Sequence, residues 1–561
     1  MIDPFRKKPV RKLLLAPLAM AALLPVAAAP AIAASSHALI QGSGSSWSSN
    51  AINQWVADVE PTGLQVVFTA SGSAQGRKDY AYRTTDFAVS DIGYLGTDPV
   101  TQQSDTSQGR AYAYLPVVAG GTAFPYQVKV GGKLVRNIRL SGETLTRIFT
   151  LKITNWNDPA ISKDNNGRVL PSLSIIPVVH SEGSGSTAQF TRYLDTLFPS
   201  LWRTFFGKNG PTEYYPSKSG MIAQNGSDGV MNFVASSAAN GAIGYDEYSY
   251  ALGKDYPVIK LGNAARYYTA PTQYNVAVAL TTAKINLDKN SPNYLLQDLT
   301  KVYSYSDPRA YPMSSYSYLI IPTASDDPRM TTAKRQTLAD FLNYSVCEGQ
   351  AEMGPIGYSP LPINLAQASF DQVAKLKAAD KAVDISRSDV TKCNNPTFIK
   401  GQPTRNYLAE IAPKPLSCDA EGAGPCTANA GIVNNNPGGK SGSGGSVSGA
   451  QGGPTGGSSS TGGAGTGGST STTGSTKTAT GGAGILTKGS TSGVTPPGST
   501  GAGTSASGTT AGGSTTDLVA SPTELSSESG ASAGMGLLAV ALLLAGLIAP
   551  PILAQRLKAR A

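Results

Sequence analysis

Along residues 37–400, short apolar runs alternate with stretches of helical periodicity, the pattern of an α/β fold. Leu64–Thr69 and Ile175–Val179 read as strands. Ser186–Phe198 has helical spacing, with Phe190, Tyr193, Leu194 and Leu197 on one face. Ala51–Val59 reads as a second helix. Each helix follows a turn rich in glycine and serine, and the Ile175–Val179 strand runs straight into one of them. In open α/β sheets, such strand-to-helix junctions are where anions bind.

Two longer apolar runs lie outside this alternation. The first, Leu13–Ala29, follows Arg6, Lys7, Lys8, Arg11 and Lys12 and precedes Ala31-Ile-Ala33, so residues 1–34 read as a secretory signal. Pro17, Pro25 and Pro30 interrupt the run, which argues against a first membrane helix, and no cysteine follows it to carry a lipid. The second, Ala531–Ala554, has no charged residue and is followed by Arg556, Lys558 and Arg560. Its length suits a ~30 Å hydrocarbon core. The basic residues place the tail, 555–561, in the cytoplasm. No sorting motif of the Leu-Pro-x-Thr-Gly kind precedes it. The expected location is therefore the cell membrane, single-pass, with an extracellular body.

Between body and span, residues 427–530 collapse to Gly, Ser, Thr and Ala. Too little apolar surface is available there to offset ordering entropy, so the segment reads as a disordered stalk. About 100 such residues span roughly 50–60 Å as a coil. Net charge is +9, but the leader contributes +4 and the tail +3, leaving the exported part near +2. That balance gives no reason to expect a nucleic-acid partner. Four cysteines, Cys347, Cys393, Cys418 and Cys426, in an exported chain suggest disulfides. Three connectivities are open. Cys347–Cys393 with Cys418–Cys426 is favoured because the second closes a short loop. With only His37 and His180 and no Cys-x-x-Cys pair, no metal site is expected.

Three turns carry the candidate chemistry: Gly42–Trp47; Ser71–Gly76 with Asp86–Asp91 after it; and His180–Ser186. Glycine lets a backbone approach a ligand closely, serine adds a hydroxyl, and a helix N-terminus adds free N–H groups. Converging, they would cage a small oxyanion. A serine-hydrolase reading of His180 with Ser184 is not favoured, since both sit in a turn with another explanation. The chain is not expected to be an enzyme or to hold a cofactor.

The order of these runs resembles the phosphate-binding proteins of bacterial ABC importers over roughly residues 37–400. Gly42–Trp47 resembles that family's opening turn, and Ser71–Gly76 with Asp86–Asp91 its second anion loop. Leu140–Asp158 is similar to its "Leu-x-Gly-x-Thr-Leu…Trp-x-Asp" stretch, and Glu182–Ser186 to its Asp-Gly-Ser-Gly-Thr turn. Asn225–Val230 and Gly241–Tyr245 resemble its late helix start and its Gly-Ala-Ile-Gly-Tyr strand.

The resemblance implies a two-lobed periplasmic-binding-protein fold of type 2 with the ligand between lobes. Lobe I would take about 37–115 and 260–400, lobe II about 116–259, within a solute-binding domain at 35–426. It implies that Ser46, Trp47, Ser73, Asp91, His180, Ser184, Gly185 and Ser186 bind phosphate or a related oxyanion, with Asp91 receiving a ligand proton. An ABC permease would be the partner; a membrane-tethered surface sensor or adhesion protein is the other reading. The chain departs from the family's pattern in Trp47 for phenylalanine, Ser186 for threonine and, above all, His180 for arginine, paired with Glu182.

Overall fold

The structure is a computed structural model, and it describes residues 37–427. The expected leader (1–34), the span (531–554), the tail (555–561) and the stalk from residue 428 on lie outside the described residues. Among the described residues no helix is long and apolar enough to cross a membrane.

Nine strands and six helices position the site. They are β1 (Ile40–Gly44), α1 (Ser49–Val59), β2 (Val66–Thr69), α2 (Ser73–Ala81), β3 (Phe87–Ser90) and β4 (Tyr112–Ala123). After them come β5 (Ile176–His180), α3 (Gly185–Leu197), β6 (Ile222–Gln224), α4 (Gly226–Ala235), β7 (Ala242–Ile243) and β8 (Asp246–Glu247). β9 (Ser314–Pro322), α5 (Thr332–Val346) and α6 (Ile363–Ala379) complete the set.

The first lobe is built on a six-stranded sheet in the order β8-β4-β9-β3-β1-β2. β1 pairs in parallel with β2 and β3, while β9 runs antiparallel to both β3 and β4. β9 is buried along its whole length and β4 along nearly all of it, because helices cover both faces of the sheet. α6 lies on β4, where the Ser369 hydroxyl donates to the Pro116 carbonyl (2.6 Å), and Phe341 of α5 packs on Phe87.

The second lobe centres on β5, flanked in parallel by β6 and β7. Its core is aromatic: Phe190 meets Phe149, Tyr245 and Phe124 at ring distances of 5.0, 4.9 and 5.3 Å. These two layered units agree with the two-lobed α/β expectation. β4 stays in the first lobe's sheet to Ala123, past the sequence boundary at 115/116. Residues 116–123, expected in lobe II, therefore belong to the first lobe's sheet, because their backbone pairs with β9 and β8. The chain crosses at 124–126 and returns at 243–247, where Tyr126 bridges Ile243 and β8 pairs with the end of β4; Val258 bridges Pro125, and residues 260–261, expected in lobe I, pair instead with Arg139 and Leu140 of the second lobe.

The cysteines form Cys347–Cys393 and Cys418–Cys426, the favoured pairing. The second bridge closes a loop docked by buried Lys260 on Asp419 (2.8 Å) and by Arg139 donating to the Cys418 carbonyl (2.9 Å). Loop-closure entropy grows with the residues enclosed. Replacing both Cys347 and Cys393 by serine should lower unfolding free energy by about 4 kcal/mol, against about 2.5 kcal/mol for Cys418 with Cys426. Urea unfolding under oxidising conditions checks this; a reversed ranking would contradict the assignment of the longer bridge as the main staple.

Candidate functional site

Four helices begin at the junction of the lobes: α1 and α2 from the first, α3 and α4 from the second. The first four N–H groups of each have no partner within the helix, and each N-terminus is a positive dipole end. α1, α2 and α4 start with no side-chain cap. Only α3 is capped, by the Ser184 hydroxyl accepting from the Thr187 amide. Elsewhere Ser141, Asp158 and Thr272 cap their helices in the ordinary way. At α4 the Gly226 and Ser227 amides are taken by side chains from other elements, Glu182 Oε2 and Ser46 Oγ, so the starts of α1 and α2 are the ends without a side-chain cap, a donor surface for an anion.

Asp91 sits at the centre of this surface, 2% exposed. Its carboxylate accepts from Ser45 (2.8 and 2.9 Å), Ser317 (2.6 Å) and Ser73 (3.3 Å). A carboxylate offers about four acceptor sites, and the three hydroxyls make four contacts, with Ser45 straddling both oxygens; the long Ser73 contact on Oδ2 is the one a further proton donor can displace. Burial raises the pKa of Asp91 above the ordinary carboxylate value; the three hydroxyls and the charge of Arg77 partly offset it.

The lobes meet closely here. A Cβ on Gly185 would come within 2.2 Å of Asp91 Oδ2 and 2.4 Å of Ser73 Oγ, so only glycine fits. Gly72, at φ +88°, starts α2 and would press a Cβ to 2.8 Å from Glu182 Cγ. Ser46 Oγ accepts from the Ser227 amide (3.1 Å) and hydroxyl (2.8 Å), and Gln189 Nε2 donates to the Asp91 carbonyl (2.8 Å). Arg77, wholly buried, joins Asp105 (2.9 Å) to Glu213 (2.7 Å) across the lobes. Burial works against this guanidinium, but Glu213 and Asp105 overcome it and hold its pKa above the ordinary value.

His180 ends β5 and is 2% exposed. Its Nδ1 lies 2.7 Å from Glu182 Oε1, and Glu182 Oε2 accepts from the Gly226 amide at the start of α4 (3.0 Å). His180 Nε2 and the Ser186 hydroxyl are buried without a hydrogen-bond partner. Burial lowers the histidine pKa, but the hydrogen bond and charge of Glu182, with Asp246 behind, raise it overall.

The structure thus draws Ser46, Ser73, Asp91 and Gly185 into one contact network and joins His180 to it through Glu182, Gly226 and Ser227. Ser184 caps α3, and Ser186 stands in its first turn. The Trp47 ring is committed to the first lobe's core, edge-on to Tyr358 and donating to Thr122 Oγ1 (3.2 Å). Sequence reasoning passed over Ser45, Ser227, Ser317, Arg77, Glu213 and Asp246. Ser45 lies inside the first glycine-rich run and Ser227 inside the quoted Asn225–Val230 run, so both had a signal. Ser317 sits mid-strand, 226 residues from Asp91, with none.

A family model described as "PBP superfamily domain" matches residues 30–348. Among curated proteins, the phosphate-binding protein PstS 2 of Mycobacterium tuberculosis is 31% identical over 350 residues, 61% of this chain and 87% of that protein. The phosphate-binding protein PstS of Methanocaldococcus jannaschii is 27% identical over 351 residues, 60% of this chain and 86% of that one. A solved high-affinity periplasmic phosphate-binding protein bound with phosphate is 21% identical, covering 63% of this chain and 98% of that chain at a TM-score of 0.45.

The interlobe ion pair yields a stability prediction. Truncating one partner of a buried pair leaves an uncompensated charge and costs about 3–5 kcal/mol. Arg77→Ala, which takes the cation from both Asp105 and Glu213, should lower the unfolding free energy by that order in a denaturant titration. A loss below about 1 kcal/mol, the size of a surface pair, would mean that the bridge is solvated.

Proposed function

Since this chain belongs to the PBP superfamily and, within it, to the PstS-type phosphate-binding proteins, we propose that it captures phosphate between its lobes and delivers it to an ABC permease. The observation that carries this reading is the buried Asp91 among three serine hydroxyls, at the meeting of four helix N-termini. Phosphate near neutral pH still carries a proton. Neutral N–H and O–H donors balance its charge, and Asp91 Oδ2 receives that proton as the Ser73 hydroxyl turns to the ligand. A fully deprotonated tetrahedral anion such as sulfate has nothing to give Asp91 and meets only repulsion there.

In this reading the Ser46 and Trp47 amides, the Ser73 hydroxyl, Asp91, His180 and the Ser184–Ser186 turn are the ligand contacts. Ser45 and Ser317 hold the Asp91 carboxylate in place. The close fit of Gly185 on Asp91 and Ser73 supports lobe closure as the capture step. PstS-type proteins bind and deliver a solute, so no chemical conversion is assigned to the site. We further propose a type I arrangement: a signal at 1–34, an exported body, a Gly/Ser/Thr-rich stalk, a span at 531–554 and a cytoplasmic tail.

Two outcomes follow. Asp91→Asn should erode the phosphate-over-sulfate affinity ratio at least tenfold in calorimetric titrations of the full chain, because the amide NH2 can donate to either anion. An unchanged ratio would assign the discriminating carboxylate elsewhere. Cells expressing a chain cut before residue 530 should release it to the medium, while the full chain sediments with membranes. A freely soluble full-length mature chain would overturn the tether.

A further inference from the structure

Besides Asp91, three carboxylates stand on the second-lobe and crossing-strand side of the site: Glu182, Asp246 and Glu247. Asp246 and Glu247, which form β8, are wholly buried, and Glu182 is largely so. Arg77 acts on Asp91, but it is already shared by Asp105 and Glu213. Burial pushes the Glu247 carboxyl well up and Glu182 is paired with His180, so Asp246 is the carboxylate whose charge repels an entering anion unless a proton neutralises it.

Two neighbouring groups can take such protons. The titratable groups facing His180 are Glu182 from its own loop and Tyr245 and Asp246 from the returning strand. Those facing Asp246 are His180, Glu182, Tyr245, Glu247 and Tyr250. Asp246 Oδ1 accepts from the Glu247 amide (2.7 Å), and its Oδ2 is buried without a partner, as is His180 Nε2. Ser227, which is bonded to Ser46 across the lobes, lies beside Asp246. An unpartnered acceptor and an unpartnered ring nitrogen are therefore enclosed next to the Ser46 end of the cage. Burial pushes the Asp246 carboxyl up to about 7, with His180 and Ser227 partly offsetting it.

We propose that Asp246 is a further ligand-facing residue of this site and that, with His180, it makes the site take up a proton together with its oxyanion. The inference rests on the phosphate reading above. The proton arrives on the ligand or from solvent. A ligand P–O–H donates to Asp246, or a proton on His180 Nε2 donates to a ligand P–O⁻ while Nδ1–H donates to Glu182. A fixed arginine at position 180 would hold a doubly charged anion without this demand. Histidine with Asp246 ties capture to proton supply.

The test is calorimetric titration of the full chain with inorganic phosphate at pH 6, 7 and 8, each in two buffers of different ionisation enthalpy. Wild type is expected to take up a proton per phosphate at pH 8 and to lose up to tenfold in affinity per pH unit from 7 to 8, the slope of one linked proton. Asp246→Asn, which mimics the neutral acid, is expected to bind more tightly than wild type at pH 8 and to show a shallower pH profile. Parallel profiles for the two proteins overturn the role of Asp246. Zero proton uptake by wild type at pH 8 overturns the inference without any variant, so it remains testable if Asp246→Asn does not fold. No phosphate binding at any pH overturns the phosphate reading and this inference with it.

Discussion

Burying the Asp91 carboxylate is the constraint on which the rest of the site depends. An ionised group taken out of water must be met by donors. Here they come from three separate parts of the chain: Ser45 after β1, Ser73 at the head of α2 and Ser317 in the middle of β9. Meeting that demand draws the carboxyl edges of β1 and β3 toward β9 and fixes where α1 and α2 begin. The second lobe then closes on the same point with a residue that has no side chain, Gly185.

Polar contacts at the margin help to hold the two lobes closed. Ser46 with Ser227, Gln189 with the Asp91 carbonyl and Arg77 with Glu213 cross between lobes, beside an edge-on contact of Tyr193 with Tyr303 (5.4 Å). The polar contacts are directional and give up little hydrophobic energy when they open. An interface of this kind suits a cleft that must open and shut around a small ligand.

Much of this was legible in the sequence. Strands expected at 64–69 and 175–179 fall at Val66–Thr69 and Ile176–His180, and the helix expected at 186–198 falls at Gly185–Leu197. Local rules suffice there: period-two and period-3.6 patterns, and glycine and serine at junctions. The favoured cysteine pairing also held, because a short loop closes at low entropic cost. What stayed hidden depends on long-range pairing. Ser317 looks like any buried strand serine until β9 is laid beside β3. Arg77 looks like a surface residue of α2 until Glu213 meets it from the other lobe. Residues 116–123 lie in an apolar run that fits either lobe, and only pairing with β9 assigns them to the first. Asp246 follows a recognisable Gly-Ala-Ile-Gly-Tyr strand, yet nothing local says that its carboxylate is wholly buried.

The central claim is that the uncapped helix starts and the Asp91 network form one anion cage. Hydrogen exchange of the full chain, read peptide by peptide with and without phosphate, addresses it most directly. The account predicts that phosphate slows exchange together at Ser46–Trp47, Ser73–Ala74 and Gly185–Thr187, with little change on the outer helices α5 and α6. Protection confined to other segments, or none at these three under saturating phosphate, would contradict it.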